Sequence, residues 1–208
     1  NTGGHLASNL GVVELTMAIH LCIDFPEDKL IWDVGHQSYV HKILTGRRDK
    51  LGTIRQFGGI SGFPRINESE TDAVNSGHAS TSVSAALGYA MSRQIQCKDN
   101  KVFAVIGDGS MTGGLFYEAL NNAASVKSNI IIVLNDNNMS ISRNVGGISS
   151  YLTKLRTDNR YIRLKENTKD AIMNIPGIGN SVVEKVKRSK SSLKQLMIPG
   201  MIFEDMGL

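Results

Sequence analysis

Apolar residues follow two rhythms along this chain. Residues 8–22 (SNLGVVELTMAIHLC) carry them at helical spacing, with Ser8 available as N-cap. Residues 30–34 (LIWDV) form a short apolar run that predicts a strand, ended by Gly35-His36-Gln37. A short helix is expected from there to about Thr45. Residues 51–72 mix Gly, Arg and polar residues without a period and predict a loop. Residues 80–95 (STSVSAALGYAMSRQI) return to helical spacing with many small side chains suited to close packing. Two unbroken apolar runs, 101–106 (KVFAVI) and 129–134 (NIIIVL), predict strands covered on both faces, and a helix is expected between them from about Gly114 to Ser125. Strand, helix and strand in so short a span form a βαβ unit, with parallel strands and a right-handed crossover. The predicted class is α/β: a parallel sheet with helices on both faces.

Charge divides the chain. Residues 1–150 have a net charge of −1, and residues 151–208 a net of +5. Most of the glycine falls before position 150. We therefore expect a glycine-rich α/β domain over 1–150 and a basic, mostly helical segment over 151–208. With 41% hydrophobic and 20% charged residues, the composition is that of a soluble globular protein. No apolar run is long enough to span a membrane. The two cysteines, Cys22 and Cys97, exclude a disulfide framework and a cysteine-based zinc cluster; both are expected to be buried thiols in a reducing cytoplasm. The chain opens at Asn1, not Met, and the natural expectation is a piece of a longer protein.

The chemistry gathers at the strand ends, where parallel sheets bind ligands. Gly107-Asp108-Gly109-Ser110 follows KVFAVI directly, and Asn135-Asp136-Asn137-Asn138 follows NIIIVL. Either cluster alone is an ordinary turn sequence. On neighbouring strands they meet at one sheet edge. Glycines flanking Asp108 leave backbone N–H groups open to an anion, and the next helix begins close by. The Asp108 carboxylate, the Asn137 amide oxygen and a backbone carbonyl are hard-oxygen ligands that leave room for phosphate oxygens around Mg²⁺. The pair of clusters predicts a Mg²⁺-diphosphate site.

Gly107-Asp108-Gly109 and Asn135-Asp136-Asn137, separated by 25 residues, resemble the motif of thiamine-diphosphate-dependent enzymes. Within that group the chain resembles the 1-deoxy-D-xylulose-5-phosphate synthase family. The resemblance lies in TGGHLASNLGVVELT (2–16), WDVGHQSYVHKILTGRR (32–48), GGISGFP (58–64), SGHASTSVSAALGYA (76–90), VIGDGSMTGG (105–114), EALNNA (118–123) and VLNDNNMSIS (133–142). It implies the diphosphate-binding fold of those enzymes, with thiamine diphosphate and Mg²⁺ as cofactors. It implies Asp108 and Asn137 as metal ligands through side chains and Met139 through its carbonyl. Gly109, Ser110 and Asn137 would meet the diphosphate, and Gly77, His78 and Ala79 would line the cofactor site. The family more often has Ser where Ala79 stands, so only a backbone contact carries over there. His36 would contact the cofactor, and His5 would face the substrates and move protons; both are expected catalytic residues. His20 and His41 are expected to be structural.

The implied reaction condenses pyruvate with D-glyceraldehyde 3-phosphate, with loss of CO₂, in isoprenoid precursor synthesis with branches to thiamine and pyridoxal. The implied whole protein is a cytoplasmic homodimer with no membrane segment and no specific nucleic-acid partner. Thiamine enzymes also need a glutamate facing the aminopyrimidine, and none of Glu14, Glu118, Glu166, Glu184 or Glu204 stands in a second such site. These 208 residues alone are therefore expected to be inactive. Two alternatives are open at this point. One is transketolase-type ketol transfer. The other is a helix-hairpin-helix DNA-binding segment over 167–190, built on Ile175-Pro176-Gly177-Ile178-Gly179 and the lysines that follow.

Overall fold

The computed structural model describes residues 3–135. The basic segment 151–208, and with it the helix-hairpin-helix alternative over 167–190, lies outside them. The elements follow in the order α1 (Leu6–Leu10), α2 (Val13–His20), β1 (Lys29–Trp32), α3 (Tyr39–Lys42), α4 (Ser82–Ile95), β2 (Val102–Gly107), α5 (Gly114–Val126) and β3 (Ile131–Asn135). A wide turn at Ile43–Arg47 and a 3₁₀ helix at Arg48–Thr53 extend α3, and a second 3₁₀ turn lies at Ser110–Thr112.

The three strands form one parallel sheet in the order β1-β2-β3. Side chains alternate across it. Leu30, Trp32, Phe103, Val105 and Val133 share a face, on which α2 sets Leu15 and Ile19, joined by Ile23 and Phe25. The alternate residues Ile31, Ala104 and Ile106 are also buried, and α4 packs on β1 and β2 with Val83, Ala86, Leu87 and Ala90 buried. The small side chains of α4 let it approach the sheet and α5 closely. α5 contributes Phe116, Ala119, Leu120 and Ala123 to the interior. The larger of these side chains, such as Leu120 and Phe116, contribute about 1.5–3 kcal/mol each when fully buried.

Each end of α4 is tied by a buried charged side chain of its own. At its C-terminal end Arg93 donates to the carbonyls of Asn100 and Asn129, each at 2.9 Å, just before β2 and β3. At its N-terminal end Asp33, directly after β1, accepts from the backbone N–H groups of Ser80 and Ser82. A carboxylate there satisfies open N–H groups and complements the helix dipole.

Three expectations change. The predicted 8–22 helix is two helices that begin at Leu6 and break at Gly11-Val12. Ser8 is inside the first and caps nothing; glycine and the non-helical Val12 end the run (φ −124°, ψ 14°). β2 is buried along its apolar length, whereas β3 is only half covered, with Ile131 and Leu134 each 41% exposed. Cys22 and Cys97 are exposed. Each lies in the turn after a helix, Cys97 with φ +53°, where local geometry overrides the tendency of cysteine to be buried.

Candidate functional site

The carboxyl end of β1 turns sharply. Val34 and Gly35 have φ of +58° and +89°, and the Gly35 N–H donates to the Asp33 carbonyl at 2.6 Å. His36 follows. Its carbonyl accepts a 2.7 Å bond from Asn9 Nδ2, which also donates to the His5 carbonyl at 2.9 Å. Asn9 Oδ1 accepts from Tyr39 N–H. One buried amide therefore fixes two histidine-bearing segments that lie far apart in sequence. The two rings meet edge to face, with centroids 5.1 Å apart. Gly4 lies against Tyr39, so that a side chain there would strike the Tyr39 hydroxyl at 2.8 Å.

His36 is half-buried, and its Nδ1 has no hydrogen-bond partner. Its pKa is lowered, first by burial, then by the nearby His5 ring and Arg55, against an opposing pull from Asp33. A neutral imidazole follows at pH 7, with a nitrogen free to meet a ligand.

The segment before α4 carries Gly77, His78 and Ala79, all exposed. His78 Nδ1 lies 3.0 Å from the Ala79 carbonyl. Space is open in front of Gly77. Ser80, next in the chain, is buried with φ +68°. Its Oγ donates to the Ser110 carbonyl at 2.6 Å. The loop after β2 is thereby joined to the segment 77–80. In that loop Asp108 and Ser110 are partly buried and Gly109 is exposed. β2 and β3 are in register at Gly107 and Asn135, which sets the starts of the two polar clusters side by side. Asn137 and Met139 lie outside the described residues. Among those described, no three His, Cys, Asp or Glu side chains gather as a metal cluster. The metal reading thus rests on Asp108 with residues beyond Asn135.

A second polar cluster escaped the sequence reading. Asp72 accepts from both Arg47 Nη atoms, at 2.7 and 2.8 Å, from the Arg65 N–H, and from His41 Nε2 at 3.0 Å. Fully buried Lys42 pairs with Glu68 at 2.5 Å. Burial pushes the Asp72 carboxyl up, but the bonds from Arg47, His41 and Arg65 more than reverse this and hold it well below the carboxylate range. The cluster binds the 61–72 loop to α3, and so braces the segment that carries His36. Complementary pairs, Lys42 with Arg47 and Glu68 with Asp72, were its only trace in the sequence. Asn9, Asp33 and Ser80 left none beyond a lone polar residue beside an apolar run. His41 is structural as expected, and His20 bonds to it (Nε2 to Nδ1, 3.0 Å).

The arrangement is that of an α/β protein whose polar groups converge at the carboxyl ends of parallel strands. The chain matches the 1-deoxy-D-xylulose-5-phosphate synthase family over residues 1–208 and belongs to it. It is 60% identical over 207 residues to the 1-deoxy-D-xylulose-5-phosphate synthase of Lachnoclostridium phytofermentans, covering 100% of this chain and 33% of that protein. It is 59% identical over 205 residues to the synthase of Syntrophomonas wolfei, covering 99% and 32%. The chain spans about a third of the length of these curated relatives. Among solved structures, a transketolase mutant from Pichia stipitis superposes with a TM-score of 0.48 at 22% identity, over 59% of this chain and 22% of that one. The family match includes residues 167–190, and the synthase relationship is favoured over both transketolase and a DNA-binding segment.

Proposed function

We propose that this chain is the diphosphate-and-metal part of a thiamine-diphosphate-dependent 1-deoxy-D-xylulose-5-phosphate synthase. The whole enzyme would condense pyruvate with D-glyceraldehyde 3-phosphate and release CO₂. The family relationship supports the reaction. The observation that carries the assignment of the site is the Gly107–Asn135 register, which sets the residue before Asp108 beside the first residue of the second polar cluster.

The residues present fit the cofactor on three counts. His36 Nδ1 is a buried nitrogen without a partner. Gly77 faces open space. The N-terminus of α5 begins at Gly114 with no side-chain cap on its N–H groups, which leaves donors for an anion. Asp108, the Asn137 side chain and the Met139 carbonyl would hold Mg²⁺, with Gly109, Ser110 and Asn137 at the diphosphate and Gly77, His78 and Ala79 lining the pocket. When bound, thiamine diphosphate supplies an electron sink for the carbon that loses CO₂. The chain's own part is to position that group and to manage protons. His36, neutral by burial, accepts or donates at Nδ1, and His5, against its ring, would serve the substrates. By the same resemblance the whole enzyme is a cytoplasmic homodimer.

The test is Asp108→Ala in the full-length enzyme, with thiamine diphosphate titrated calorimetrically at fixed Mg²⁺. Mg²⁺-dependent binding should fall by at least about a hundredfold, since a metal-ligating charge is lost. Unchanged binding would overturn the metal assignment.

A further inference from the structure

We propose that Asp33 and Ser80 are positioning residues that hold the three cofactor-facing loops in one arrangement; the inference rests on the reading above of what those loops bind. The loops follow β1 (His36), precede α4 (Gly77–Ala79) and follow β2 (Asp108–Ser110). Two side chains join them. Asp33, 1% exposed at the end of β1, accepts from Ser80 N–H at 2.9 Å through Oδ1 and from Ser82 N–H at 3.0 Å through Oδ2. Ser80 Oγ donates to the Ser110 carbonyl at 2.6 Å.

Helix capping alone does not account for this. The N-cap of α4 is Thr81, whose side chain makes no cap bond and donates to the His78 carbonyl instead. Ser80 sits outside the helix with φ +68°, a left-handed conformation that is unfavourable for a non-glycine residue. It is held there by bonds on both sides: its N–H to Asp33, its hydroxyl to Ser110. The Gly113 backbone completes the fit, since a Cβ there would lie 2.2 Å from Ser80 Oγ. Strain of this kind persists only where the surroundings impose it. The tie has a chemical consequence. An unengaged carbonyl beside a diphosphate repels it, and Ser80 engages the carbonyl of Ser110 in the loop assigned to the diphosphate. Asp33 also partly opposes the lowering of the His36 pKa by burial and the His5 ring, so the same carboxylate acts on the histidine across the turn.

The experiment compares Ser80→Ala, Ser80→Gly and Asp33→Asn in the full-length enzyme. Ser80→Gly relieves the strained φ and Ser80→Ala does not, so the two should differ in thermal stability. Both lack the hydroxyl, so both should raise the thiamine diphosphate half-saturation by about tenfold, the effect of one lost buried hydrogen bond. kcat at saturating cofactor and KM for pyruvate should stay unchanged. Asp33→Asn should weaken cofactor binding at least as much, because its amide meets an N–H that needs an acceptor. A half-saturation that follows stability, with Ser80→Gly like wild type, would overturn the proposal. Hydrogen exchange of residues 109–113 in the cofactor-free protein gives an independent readout: Ser80→Ala should speed it. Wild-type protein that fails to bind the cofactor would overturn the functional reading, and unchanged exchange at 109–113 would separately overturn the tie.

Discussion

Asp72 takes four hydrogen bonds, and they dictate the protons of its neighbours. An ionised carboxylate only accepts, so His41 donates from Nε2 and leaves Nδ1 as an acceptor. His20 then donates from Nε2 to that nitrogen. The chain runs one way, from His20 through His41 to Asp72, with both rings neutral. Burial lowers the pKa of His41, and burial followed by the nearness of His41 lowers that of His20 to about 4. Both rings ionise near 6.5 once unfolded. The unfolded chain therefore binds more protons between pH 6.5 and about 4, and stability falls as pH drops through that window. Above 6.5 the two histidines cost nothing. His20→Gln keeps a donor to His41 but removes one titration. Thermal unfolding should thus be level above pH 7 and fall below 6.5, with a shallower fall in the variant. Identical slopes would show that His20 does not carry the effect.

Elements built on repeated apolar positions were legible from the sequence, while turns and ties were not. β1, β2, β3, α4 and α5 fall within a residue or two of expectation, because each needs a run of side chains to cover a sheet face. The strand-end placement of Asp108 followed from the same pattern. Asn9, Asp33 and Ser80 were missed because a single polar residue joins segments 27 to 49 positions apart and no local period marks it. The Ala79 segment likewise depends on its neighbour Ser80. Turn geometry yields a prediction at this scale. Gly35 and Gly46 have similar φ, +89° and +84°, but a Cβ at Gly35 would lie 2.3 Å from Ser76 Oγ and 2.5 Å from Pro64 Cδ, whereas Gly46 faces open space. Gly46→Ala should cost about 1–2 kcal/mol for the left-handed conformation alone. Gly35→Ala adds overpacking of about 1–3 kcal/mol and displaces the turn that carries His36. Urea unfolding of the two variants measures the difference, and equal costs would show that the Pro64–Ser76 wall yields freely.

At the scale of the molecule, side-chain hydrogen bonds link the polar groups at the carboxyl ends of the strands into one connected set. His5 and His36 are joined through Asn9, His36 to the 77–80 segment through Asp33, and that segment to Ser110 through Ser80. What thiamine chemistry further requires, by the family resemblance, is a glutamate against the aminopyrimidine in a water-poor setting. Glu14, Glu27, Glu70 and Glu118 are exposed. Glu68 is committed to Lys42 and to the Ser61 N–H. None of the described glutamates is thus free and buried to promote proton loss from the cofactor. An exposed carboxylate lacks the water-poor setting in which it could do that work. We expect these 208 residues, expressed alone, to release no CO₂ from labelled pyruvate with thiamine diphosphate and Mg²⁺ in excess. The comparison is the full-length enzyme at equal concentration, and circular dichroism checks that the shorter chain is folded. Sustained CO₂ release by the folded 208-residue chain would mean that its own groups complete the reaction, and would return the search for the activating carboxylate to this sequence.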